Sequence, residues 1–255
     1  METSRLKAWR FIVNNIGHFA MMLLLVFSLE CFAQDNQLRP GQYITEGGWG
    51  NLSIKSGKGG TLVFVLEAVG GNAHTCDLRG QISNGHATLK AFEKGNPCVV
   101  SFSGAGEDIN VTSNGDECRF FCGARASFEG LYFKPDQGCT AASLRKTRNE
   151  FKRLYDRKAY SEARTKLEPA LRACKKTLNW LEEGWIRNDL AITQYKLRDL
   201  DGCRQTLQPL AADAAKTEKQ LKEEYPPTDA DNYMPIVEAA RTNLKLCDTG
   251  TKGSP

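Results

Sequence analysis

The chain has 255 residues, a quarter of them charged, and a formal net charge of +4. Lys and Arg are interspersed with Asp and Glu instead of massed in one stripe, which argues against a nucleic-acid binder and reads as ordinary solvated surface. The length is enough for two small domains with their own cores.

The N-terminus carries Arg5, Lys7 and Arg10, then the apolar run 19–29, then Cys31-Phe32-Ala33 ahead of Gln34. A basic start, a short apolar core and a small-x-small site predict a secretory signal peptide over 1–33, cleaved after Ala33. The run is shorter than the roughly 20 residues that cross a bilayer, so no membrane span is expected after cleavage. Uncleaved anchoring from Phe11 is the competing reading, weakened by Asn14, Asn15 and His18. Glu30 ahead of Cys31 argues against a lipoprotein. The expected location is periplasmic or secreted.

Eight cysteines follow the signal. Cys76, Cys98, Cys118 and Cys122 lie in a glycine-rich segment; Cys139, Cys174, Cys203 and Cys247 lie in one rich in Lys, Leu and Ala. An even count behind an export signal predicts disulfides, because thiols outside the cytosol are oxidised. Four and four predict two separately stapled domains in an α+β chain: a β domain over 40–136, a helical domain over 139–249 and a disordered tail over 250–255.

In the β domain, strands are expected at 51–55, 61–69, 74–82, 87–92, 98–102 and 109–112, with turns at 56–60, 70–72 and 83–85. Ser83-Asn84-Gly85 is a tight-turn signal because Asn and Gly accept positive φ. Short strands with glycine punctuation predict a small antiparallel sandwich or barrel. From Gly123 onward, Ala124, Ala126 and Phe128 alternate with Arg125, Ser127 and Glu129, which predicts a closing strand. Arg125 and Glu129 are then candidates for a partner-binding face, against the plainer reading of a polar outer face. The spacing of Cys118 and Cys122 also occurs in zinc sites, with His74 and His86 as the only later histidines, but the compartment favours disulfides. Their pairing stays open.

From Thr140 the pattern turns helical, with helices expected at 145–155, 160–176, 179–197, 200–223 and 231–246. Pro226-Pro227 stops the fourth, and Pro235 is placed near the start of the fifth. Residues 163–169 match 203–209 at a shift of 40, and Tyr160 matches Leu200. Self-similarity at this period suggests stacked helix pairs. Segment 188–207 resembles a tetratricopeptide repeat: Leu190-Ala191 match its large-small pair, Arg198-Asp199-Leu200 its turn, and Cys203 its small residue on the second helix. The period exceeds the family's 34 residues, and Pro209 comes early. The resemblance implies a concave groove, lined by the first helix of each pair, that binds another polypeptide; Asn188, Ile192, Tyr195 and Lys196 are the candidates. A first helix pair turning near Lys158 would bring Cys139 to Cys174, and a second, turning near Pro226, Cys203 to Cys247. Each bond would contribute about 3–4 kcal/mol.

No G-x-S-x-G, H-E-x-x-H or P-loop occurs, and no carboxylate pair is set apart by context. No catalytic residue, cofactor or metal is assigned. Asn51-Leu52-Ser53 and Asn110-Val111-Thr112 are glycosylation triplets. The expected function is that of an exported, non-enzymatic protein-binding protein whose partner is another protein or peptide of the envelope. In size and compartment the β domain resembles small bacterial periplasmic inhibitors of lysozyme, which implies an inhibitor or immunity-type protein against a cell-wall-degrading enzyme or toxin. A helical-repeat scaffold in envelope assembly or transport is the alternative, and an enzyme of unrecognised type the third. Oligomeric state is left open.

Overall fold

The computed structural model describes residues 37–90 and 95–249. The expected signal peptide and tail lie outside the described residues.

Eight strands form one antiparallel sheet: β1 (Gly41–Thr45), β2 (Gly50–Ser56), β3 (Leu62–Val69), β4 (Thr75–Ile82), β5 (His86–Leu89), β6 (Cys98–Ala105), β7 (Asp108–Ser113) and β8 (Gly130–Phe133). Their order is β4-β3-β2-β1-β8-β7-β6-β5. Every neighbour but β1–β8 is adjacent in sequence, so the sheet is a meander that curls on itself. The ends, β4 and β5, meet through the expected tight turn, where Ser83 and His86 exchange backbone bonds of 2.8 and 3.0 Å. The result is a nearly closed barrel. Period-two burial fills it: Leu52 and Ile54, Phe64 and Leu66, Leu78 and Ile82, Val100 and Phe102, Ile109 and Val111 point inward. Closure hides strand edges that would otherwise template aggregation.

One expectation fails here. Residues 123–129 are not a strand; Asp116–Phe121 is a 3-10 helix, and the chain then runs irregularly to β8. Cys122 bonds to Cys76 on β4 and Cys118 to Cys98 on β6. Cys122 makes one isolated antiparallel bridge to Cys76, and Gly123 N donates to Thr75 O at 2.8 Å, but the pairing goes no further along the chain. The alternation remains as burial of Phe128 and partial burial of Ala126 against the core, between exposed Arg125, Ser127 and Glu129.

Seven helices follow: α1 (Ala141–Asp156), α2 (Tyr160–Ala173), α3 (Trp180–Lys196), α4 (Leu200–Leu207), α5 (Ala211–Ala215), α6 (Glu218–Glu224) and α7 (Pro227–Thr249). Thr140 and Asn179 cap α1 and α3 by accepting from Ser143 and Leu181. The repeat is geometric as well as sequential. Lys158 and Arg198 take the same left-handed φ, 61° and 64°. The next residue in each turn bonds five back, Ala159 to Leu154 and Asp199 to Gln194, which is the Schellman closure that satisfies terminal carbonyls. Ala163 and Cys203 then occupy matching fully buried positions, as do Leu167 and Leu207. The expected bonds Cys139–Cys174 and Cys203–Cys247 are both present.

Two helical expectations are corrected. Segment 200–223 is not one helix: Pro209 cannot donate to the ladder, the chain tightens into a 3-10 turn at Gln208–Leu210, and it restarts as α5 and α6. A Thr217–Gln220 capping box opens α6. The last helix starts at Pro227, so Pro235 lies inside it. Pro227 takes the helix-start position that Pro235 was expected to take. None of the described helices is long and apolar enough to cross a membrane.

The barrel and helices are joined by specific bonds. Asn72, at the tip of the β3–β4 hairpin, accepts from Thr228 N at 2.9 Å, and its own N–H donates to Asp229 Oδ2 at 2.9 Å. The residue before α7 is Pro226, whose side chain cannot cap, so the barrel supplies the cap from across the junction. Gly47 N donates to Lys176 O at 2.8 Å, and the Lys176 ammonium sits 3.2 Å from the Phe133 ring centroid. Gly48 packs so closely that a Cβ would come within 2.6 Å of Thr177 O; only glycine allows the approach.

Candidate functional site

The most constrained exposed element is the segment between the barrel's two disulfides. Gly115 leads into the 3-10 helix, where Cys118 N and Cys122 N donate to Gly115 O and Arg119 O, both at 3.0 Å. Cys118 and Cys122 anchor on β6 and β4, so Arg119-Phe120-Phe121 is held at both ends. Phe121 packs against the barrel core. Phe120 remains 67% exposed. Adjacent side chains on a pinned turn cannot both reach the core, so one aromatic is presented outward.

The surroundings are equally fixed. Asn114 Oδ1 accepts from Val99 N at 2.9 Å, and its amide donates to Pro97 O at 3.1 Å. Buried Tyr132 donates to Phe128 O at 2.7 Å, and burial pushes its hydroxyl pKa up. The loop crosses the start of the β3–β4 hairpin so tightly that a Cβ on Gly70 would overlap Arg125 O. Between the 3-10 helix and this loop lies a cleft of about 580 Å³, lined among others by Ser113, Asp116, Arg119, Ser127 and Glu129. Arg119 pairs with Asp116 at 3.0 Å, an exposed pair of little energetic weight.

The structure separates Arg125 from Glu129. Glu129 borders the cleft and accepts from Ser113 N at 2.6 Å. Arg125 is exposed on the loop above Gly70. They do not share a strand face, because there is no strand. Cys118 and Cys122 are in disulfides, which removes the zinc alternative. His86 Nδ1 lies 3.0 Å from Ser101 Oγ, and His74 packs on Gly123.

The helical candidates also divide. Asn188 is 3% exposed. Its amide donates to Gly184 O and Ile236 O at 3.0 and 3.1 Å, and its Oδ1 accepts from Asn243 at 3.0 Å. Asn188 therefore ties α3 to α7 and does not line a groove. Packing of α7 over this stretch of α3 is what covers it. Ile192 is half-buried, Tyr195 packs against the cluster between α3, α4 and α7, and Lys196 is exposed with Nζ 5.7 Å from the Tyr195 ring.

Phe120 lies ahead of the alternation that runs from Gly123 onward, so period two does not mark it. The Phe-Phe pair between Cys118 and Cys122 was the available signal. Compared with protein-family models, curated proteins and solved structures, the chain matches none.

Proposed function

We propose that this is an exported protein-binding protein of the inhibitor or immunity type, which blocks a cell-wall-degrading enzyme or toxin with the stapled segment of its barrel. One observation carries the reading: Phe120 stands 67% exposed on a turn pinned by two disulfides. Binding normally costs about 0.5–1.5 kcal/mol for each side chain that must be ordered, and a pre-ordered loop avoids much of it. Phenylalanine and arginine are both among the side chains enriched in the cores of protein interfaces. Four disulfides are compatible with an oxidising compartment.

The test is inhibition of cell-wall lysis by a panel of lytic enzymes and toxins, with the oxidised protein recovered from cells expressing the full chain. One enzyme should be inhibited at one-to-one stoichiometry. Phe120→Ala should weaken that inhibition by about 2 kcal/mol, roughly 30-fold in Kd. The variant should keep the wild-type circular dichroism spectrum, because the ring is 67% exposed and lies outside the barrel core. Inhibition untouched by Phe120→Ala would exclude the segment as the recognition element.

The second reading is a tetratricopeptide-like scaffold for envelope assembly or transport, favoured by the two helix pairs with matching turns at Lys158 and Arg198. It predicts capture of several envelope proteins, lost on Tyr195→Ala or Lys196→Glu and indifferent to Phe120.

A further inference from the structure

A second cleft, of about 570 Å³, lies where the β1–β2 turn meets the junction of α2 and α3. Glu46, Arg172, Lys175, Lys176, Trp180 and Glu183 border it. Trp180 is 40% exposed, yet it is not loose. Its ring stacks on Tyr225 at 5.7 Å with 8° between planes, and Tyr233 packs on it at 4.8 Å. Both tyrosine hydroxyls donate to Asp213, at 3.2 and 2.7 Å, and Lys216 donates to the same carboxylate at 2.7 Å. The indole is thus a buttressed platform whose rotamer is set before any ligand arrives.

The charges around it are unevenly committed. Lys176 is engaged on Phe133, and Glu183 is held by Arg187 at 2.6 Å. Arg172 and Lys175 are exposed and make no ion pair among the described residues. Glu46 is exposed on the opposite wall. That wall is fixed to α2–α3 by the Gly47–Lys176 bond and the close contact of Gly48. The cleft therefore has a fixed aromatic side chain, two uncommitted cations and a carboxylate on its walls, and no deep apolar hole, since Leu178 at its base is buried.

We infer that this cleft binds an acidic sugar. The 40% of Trp180 that stays exposed offers an aromatic surface, electron-rich over its ring, to the polarised C–H groups of a pyranose. Arg172 and Lys175 suit a carboxylate, Arg by a two-pronged contact and Lys as a point charge. Glu46 accepts from ring hydroxyls. The site is separate from the Phe120 segment, and the inference does not rest on the inhibitor reading. Two sources carry this chemistry: the lactyl-ether amino sugar of bacterial wall glycan, and the uronic acids of polysaccharides.

The experiment is calorimetric titration of the oxidised full-chain product with four probes: the N-acetylglucosamine–N-acetylmuramic acid disaccharide, tetragalacturonate, neutral chitotetraose and an acidic tetrapeptide. One or both acidic sugars should bind, and which one identifies the source. Trp180→Ala should weaken binding at least tenfold, while Trp180→Phe, which keeps a ring on Tyr225, should retain most of it. Arg172→Glu with Lys175→Glu should weaken the acidic sugars at least tenfold, and chitotetraose should bind more weakly than they do. Phe120→Ala should change nothing. Failure of both acidic sugars at millimolar concentration overturns the proposal. So does binding indifferent to Trp180, or tighter, Trp180-dependent binding of the tetrapeptide.

Discussion

Replacing Asn72 with Ala tests how the barrel and the helices are joined. The Asn72 carboxamide accepts from Thr228 N at the second position of α7. Losing a side-chain cap costs about 1 kcal/mol, within a range of about 0.5–2. Asn72 also holds φ at 58°, a conformation asparagine tolerates and alanine reaches at an extra cost of about 1 kcal/mol. The two effects sum to about 2 kcal/mol. For a protein of this size that lowers Tm by about 4–8 °C. Asn72→Gly loses the cap but not the conformational fit, so it should cost about half as much. The assay is chemical and thermal unfolding with the disulfides intact, followed by circular dichroism and tryptophan fluorescence. If Asn72→Ala stays within about 0.5 kcal/mol of wild type, the cap is not formed in solution. If Ala and Gly cost the same, the backbone half of the reasoning is wrong.

Three further outcomes are expected. Lys158→Gly and Arg198→Gly should each stabilise by about 0.5–1 kcal/mol, because both residues hold positive φ at equivalent turns, and the gains should add in a double-variant unfolding series. Removing Cys203 and Cys247 together, as alanines, should cost about 4 kcal/mol through the 44-residue separation they span; a loss below about 1 kcal/mol in reversible denaturation would contradict this. Asp213 is pushed up by burial, but hydrogen bonds from Lys216, Tyr233 and Tyr225 outweigh that and hold it below the usual carboxylate range. A lowered folded pKa adds stability above the unfolded value, lost as pH falls through the folded one. Asp213→Asn should therefore be less stable than wild type at pH 7, with the gap closing below about pH 4; a pH-independent gap would remove the ionic explanation.

Patterns of short range in sequence survived folding. Glycine-punctuated alternation marked β2 to β7, since burying one face of a strand requires period two whatever the partner, but not β1 and β8, two short strands whose pairing with each other joins the ends of the chain's β region. The shift-of-40 match determined the two matching turns and the buried positions after them: Ala163, Leu167, Cys203 and Leu207 are small or apolar because each fills the inside of a helix pair. The turn near Lys158 was enough to bring Cys139 to Cys174, whereas Cys203 meets Cys247 across α5 and α6, so the single hairpin expected there is not what joins them. Tertiary structure decided whatever depended on distant neighbours. Cys118 and Cys122 bond to different strands, a partnership no local pattern encodes, and the alternation after Gly123 found no strand to pair with beyond the single bridge at Cys122. α7 covers Asn188 because Asn243 and Ile236, about fifty residues away, meet it there. Pro226 leaves α7 uncapped in sequence, and Asn72 caps it from the other domain. Phe120 and Trp180 are single aromatics whose meaning comes only from what holds them, two disulfides in one case and Tyr225, Tyr233 and Asp213 in the other. Period and composition are local properties of the chain; exposure, capping and disulfide partnership are set by which distant segments the fold brings together.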